Sequence, residues 1–233
     1  MERERRLARI AGVLYLIVAV CGGFSELYVR SGVDVAGDAA ATADKIAASA
    51  TLFRVGALSD LVGIACFLVL GLVLYGLLEH VSSRAAVAML VFVAVSVAVM
   101  TANMVNHFGA LQAASSGDSD AAALFLDLHG YGYLVAGVFF GLWLLPFGYL
   151  LLRSGYAPRA LGVLAMIGAL GYVADVVANT LFAAPGEMLV PVLTVPAAIA
   201  ELSLIVWLLV KGLDVPPRAG RVRASMDRVP IPA

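Results

Sequence analysis

Leu61-Val62-Gly63-Ile64-Ala65-Cys66-Phe67-Leu68-Val69-Leu70-Gly71-Leu72-Val73-Leu74-Tyr75-Gly76-Leu77-Leu78 runs from Asp60 to Glu79 without a charge. About 20 apolar residues of α-helix cross a hydrocarbon core about 30 Å thick, so this stretch reads as a membrane span. A lone strand would leave its backbone groups without partners in lipid, so the span is a helix. Working outward from it, further apolar stretches of similar length follow one another along the chain. The candidate spans cover residues 9–28, 54–79, 85–111, 128–152, 158–182 and 190–210. The expected fold is all-α, a polytopic bundle of six transmembrane helices.

Composition agrees with that reading. Hydrophobic residues make up 62% of the 233 and charged residues 13%, with a mean hydropathy of +0.99. Soluble domains carry about a quarter charged residues. The connections are short and no Pro/Ser-rich linker interrupts them, so residues 1–213 form one transmembrane domain. Residues 214–233 are a basic tail, expected to be disordered and cytoplasmic.

The basic residues orient the spans. Arg3, Arg5, Arg6, Arg9, Arg84, Arg153, Arg159, Lys211, Arg218, Arg221, Arg223 and Arg228 fall on one side, twelve of the fifteen Lys and Arg. Arg30, Lys45 and Arg54 fall on the other. The positive-inside rule places both termini in the cytoplasm, which requires an even number of spans. The first span is retained rather than cleaved as a signal peptide, because no clear A-x-A site follows it and its loss would leave an odd number. Cys21 and Cys66 lie at different depths, about 10 and 18 Å by helical rise, and are not expected to pair.

Between the first two spans, Asp38 reads as the N-cap of a short extracytoplasmic helix over residues 39–46. Ile46, Ala50 and Phe53 recur at i, i+4 and i+7 and give it one apolar stripe. Such a helix is either a lid on the outer face or an amphipathic lead-in to the second span. Ser115-Ser116-Gly117-Asp118-Ser119-Asp120 is an acidic exposed loop.

Packing accounts for many glycines. Gly130, Gly137, Gly141 and Gly148 recur at spacings of seven and four along the fourth span, and Gly56 and Gly63 stand one above the other on the second. Small-residue stripes of this kind let neighbouring helices approach closely. Pro146 leaves a carbonyl of the fourth span without its backbone donor and is expected to bend it.

Several segments resemble a bacterial membrane family catalogued as domain of unknown function 4386. They are Arg9-Ile10-Ala11-Gly12-Val13-Leu14-Tyr15, Gly37-Asp38-Ala39-Ala40-Ala41-Thr42-Ala43 with Leu52-Phe53-Arg54, Phe139-Phe140-Gly141-Leu142, Gly148-Tyr149-Leu150, Arg153-Ser154-Gly155, Pro158-Arg159-Ala160-Leu161-Gly162, and Ala200-Glu201-Leu202 before Trp207-Leu208-Leu209-Val210-Lys211-Gly212. The resemblance implies a six-helix integral protein of the bacterial inner membrane. It carries no activity, cofactor or catalytic residue to transfer.

Polar side chains within the spans are costly, about +2.5 to +3.5 kcal/mol for an Asp at a helix centre, and mark either helix-locking contacts or a working site. Asn103, Asn106 and His107 share a face of the third span, and Tyr172, Asp175 and Asn179 share a face of the fifth. Asp60 lies about 9 Å in from Arg54 by helical rise and points in a different direction, so Arg54 is expected to meet Glu26 or another helix. His129 opens the fourth span, and Glu201 lies about 15 Å from the cytoplasmic end of the sixth. Facing inward, these residues would line a polar cleft open to the outer side.

Three functions compete for that cleft. One is binding or transport of a small molecule, with Glu201 and Asp175 as proton or cation sites and Arg54 drawing an anionic group. Another is a membrane-embedded metal-dependent hydrolase, with His107, His129 and a carboxylate such as Asp60 as ligands, although no H-E-x-x-H spacing is present. The third is a structural or partner subunit whose polar groups only lock helix packing. Catalytic residues and cofactors are not assigned by the sequence. The bilayer is the expected partner, and no P-loop or dinucleotide motif points to nucleotide or nucleic-acid work.

Overall fold

The computed structural model describes residues 2–182 and 189–212. All regular structure among them is helical. Helix α1 (Glu2–Gly23) runs on through a π-helical segment, Phe24–Arg30, into the single turn α2 (Ser31–Val33). Then come α3 (Ala39–Ala48), α4 (Ala50–Leu78), α5 (Ser83–Ser116), α6 (Ser119–Leu142), α7 (Leu144–Ser154), α8 (Arg159–Leu181) and α9 (Leu189–Val210). Among the described residues five continuous helices are long and apolar enough to cross a membrane: Glu4–Val33, Ala50–Leu78, Ser83–Ser116, Ser119–Ser154 and Arg159–Leu181. The basic tail lies outside the described residues.

The helices form a closed ring. α1 packs on α4, α4 on α5, α5 on α6, α6 and α7 on α8, and α8 on α9, which returns to α1. Large apolar side chains fill one end, among them Leu70, Leu74, Met89, Val93, Phe147 and Leu150. Val29, Ile46, Phe53, Ala110 and Ala114 make a smaller apolar cap at the other end, where α3 lies across α5 and α6. Asp38 caps α3 by accepting from the Ala41 N–H, 2.9 Å away. Ile46 and Phe53 are buried in this cap, so the apolar stripe packs onto the α5–α6 side of that end although the helix breaks at Ser49 between them.

Some element ends differ from expectation. The first helix does not stop at residue 28 but continues to Val33, which takes Arg30 into the bundle instead of onto a loop. The acidic stretch after Ser116 is a tight turn and not a loop. Gly117 ends α5 with φ +81°, a conformation glycine adopts without steric cost, and Asp118 at once caps α6 by accepting from Ala121 N. α5 and α6 therefore form a long hairpin that carries α3 on its tip.

The fourth span breaks at Trp143, three residues before Pro146, whose missing N–H interrupts the ladder there. Gly141 and Gly148 pack against the α8 backbone, where an added Cβ would stand 2.8 Å from Ala169 O and 2.6 Å from Gly162 O. Gly137 faces Val176, whereas Gly130 faces open space and is not part of that contact. Gly56 and Gly63 receive Val29 and Cys21 of the first helix. Both cysteines are unpaired thiols.

Candidate functional site

The π-helical segment sets the geometry of the site. Its wider turn adds a residue to the helical repeat, and such segments often sit at functional positions. Here it presents Ser25, Glu26 and Arg30 to the bundle interior and to the space beside it. Arg30 is 5% exposed and its Nη1 lies 2.5 Å from Asp60 Oδ2 on α4. Its other face meets Glu26 Oε2, with Nε donating at 2.7 Å. The Ser25 hydroxyl donates to Asp60 Oδ2 at 2.8 Å and accepts from Arg30 Nη1 at 2.9 Å. The guanidinium also lies 5.6 Å from the Tyr133 ring centroid, a cation–π distance. One buried cation is thus held by two carboxylates, a hydroxyl and an aromatic face.

Two histidines adjoin this pair. His107 Nε2 lies 3.0 Å from the Phe53 carbonyl, and its ring stacks on Phe53 at 3.9 Å between centroids. His129 Nδ1 lies 3.3 Å from the Asn103 carbonyl. Asn103 returns the contact, donating from Nδ2 to the His129 carbonyl at 2.8 Å, and its Oδ1 accepts from Asn106 at 2.9 Å. Gly132 makes room for the Asn103 side chain against α6, since a Cβ there would collide with it. The two imidazole centroids are 5.6 Å apart.

Beside this network opens a cavity of about 870 Å³ between α1, α6, α8 and α9. Glu201 lies in its deep part with Tyr172, whose hydroxyl donates to the Glu201 carboxylate at 3.5 Å. Tyr15 and Trp143 complete that region, their rings edge-on at 5.8 Å. Asp175 and Asn179 stand higher on α8 and are joined by an Asn179 Nδ2 to Asp175 Oδ1 bond of 3.1 Å. Glu26, Arg30 and His129 form part of the wall, so cavity and network share a border.

Glu26, Asp60, Asn103, Asn106, His107 and His129 are therefore brought together, while Asp175, Asn179 and Glu201 line the adjoining cavity, whose wall includes Glu26 and His129. Arg54 stands apart on an exposed face of α4, because Glu26 takes Arg30 as its partner. Sequence reasoning missed Arg30, Ser25 and Tyr133. Arg30 carried a signal nonetheless, being one of only three basic residues that the expected topology sets apart from the other twelve.

A closed ring of long apolar helices around buried charge defines the class: an all-α, multi-pass membrane protein with an intramembrane polar centre. The chain belongs to the family described as Domain of unknown function (DUF4386), whose model matches residues 10–212. No curated protein and no solved structure matches it.

Proposed function

We propose that this protein binds a small lipophilic cation in the cavity beside Arg30, from the outer face of the membrane. The observation that carries this reading is the charge and ring content of the wall. Five carboxylates line it; Glu26, with Asp60 behind it, compensates the single guanidinium of Arg30, and Asp34, Asp127, Asp175 and Glu201 remain in excess. Aromatic rings of Tyr15, Phe140, Trp143 and Tyr172 line the same cavity as Glu201. Carboxylate plus aromatic face is the combination that attracts an organic cation out of water. The volume lies within the range of about 300 to 1,000 Å³ that small-molecule sites occupy.

In this reading α9 is the sixth span, since it lines the ring between α8 and α1, and the charge bias of the chain puts both termini in the cytoplasm. The site then opens outward, and the membrane is a bacterial inner membrane. Transport of the bound cation would use the same carboxylates. The hydrolase alternative draws support from His107, His129 and Asp60 and not from the cavity's own carboxylates, and packing alone does not account for so large a cavity with a carboxylate at its base.

Trp143 lines the cavity and Trp207 does not, so a Trp207→Phe protein reports on the site by fluorescence. Titration with tetraphenylphosphonium should quench Trp143 saturably, tetraphenylborate should not, and Glu201→Gln should weaken the cation at least about tenfold. Equal responses to both ions, or none to either, would sink the reading.

A further inference from the structure

We propose that Asp60, His107 and His129 form a buried site for one divalent transition-metal ion, with zinc the ion their donor set suits best. One carboxylate oxygen and one nitrogen from each ring lie within 4.8 Å of one another, and the residues are 4%, 0% and 1% exposed. They come from three different helices, α4, α5 and α6, so no sequence spacing announces them.

The hydrogen bonds around the rings carry the argument. A carbonyl only accepts, so His107 donates through Nε2 to Phe53 and His129 through Nδ1 to Asn103. Metal-ligating histidines are held in this way, with the opposite nitrogen donating to a backbone carbonyl or carboxylate. His107 Nδ1 and His129 Nε2 are then left as fully buried acceptors with no partner. Two unpaired imidazole lone pairs beside a carboxylate are a costly arrangement for packing alone, and the natural one for a cation.

Asp60 has an oxygen to spare. Arg30 and Ser25 both engage Oδ2, which leaves Oδ1 outside the ion pair. Glu26 offsets the Arg30 charge on its far side, so an incoming ion does not meet an uncompensated guanidinium. His129 also lines the larger cavity, and water entering from that side would complete the shell. Donors around a tetrahedral zinc with bonds of about 2.0 to 2.1 Å stand about 3.4 Å apart, so the side chains must close by up to about 1.4 Å on binding. Two histidines, one carboxylate and an open position make a set used in catalytic zinc sites.

The site does not depend on cation binding in the neighbouring cavity, and its failure would leave that reading intact. The test is elemental analysis of the full chain, purified in detergent without chelators or a polyhistidine tag, followed by stripping and titration with Zn²⁺ and Co²⁺. His107→Gln and His129→Asn are the informative variants. Each keeps an amide donor where the ring N–H bonded to the carbonyl, and each removes the inward lone pair. We expect about one ion per chain in the unmutated protein, tetrahedral-type visible absorption with Co²⁺, and at least a tenfold loss of affinity in either variant with the unfolding temperature of the stripped protein retained. If one variant fails to fold, the other and the Co²⁺ spectrum of the unmutated protein carry the test. Absence of both native metal and saturable Zn²⁺ or Co²⁺ binding overturns the proposal, as do variants that bind like the unmutated chain.

Discussion

Arg30 and Asp60, on the first and second spanning helices, form a buried ion pair with 2.5 Å between Nη1 and Oδ2. Removing one partner strands the other in a low-dielectric interior, a cost of about 3 to 5 kcal/mol. Arg30→Met should therefore lower the unfolding temperature in detergent far more than Arg30→Met combined with Asp60→Asn, where neither charge remains. A double variant as unstable as the single one would show that the pair is not the source of the loss.

Arg54 provides the contrast. It is exposed, and surface substitutions away from special features stay within about 0.5 kcal/mol. Arg54→Ala should unfold with the unmutated protein in the same thermal assay. A large loss would place Arg54 in a contact that the described helices do not show.

Close backbone approach makes a third prediction. A Cβ on Gly148 would stand 2.6 Å from Gly162 O and one on Gly162 would stand 2.9 Å from Gly148 O, so α7 and α8 touch through this pair. Gly148→Ala should cost about 1 to 3 kcal/mol through overpacking. Gly76→Ala, in α4 with open space around it, should be neutral or slightly stabilising. Comparable losses in both variants would argue against a specific α7–α8 contact.

Topology is tested by labelling. With Cys21 and Cys66 replaced by alanine, single cysteines at Ser83 and Ser116, both exposed and at opposite ends of α5, should react from opposite sides of the membrane. The Ser83 position should be reached only from the cytoplasm. Reaction of both from one side would refute the orientation drawn from the basic residues.

The sequence by itself determined the helical class, the cap at Asp38 and the family resemblance that its model match bears out over residues 10–212. The class and the cap follow from composition, from capping chemistry and from the length a helix needs in lipid, and the resemblance from short motifs, all of which are local. The tertiary structure alone decided which polar groups meet. Arg30 reads as a loop residue until the π-helical segment lengthens the first helix and turns it inward, and Arg54 reads as a site cation until its face of α4 proves exposed. His107, His129 and Asp60 share no helix, so only the rotation of α4, α5 and α6 about their axes brings them within 4.8 Å. That rotation is set by close packing at positions such as Gly132 against Asn103 and Gly56 against Val29, contacts between segments that no single stretch of chain encodes.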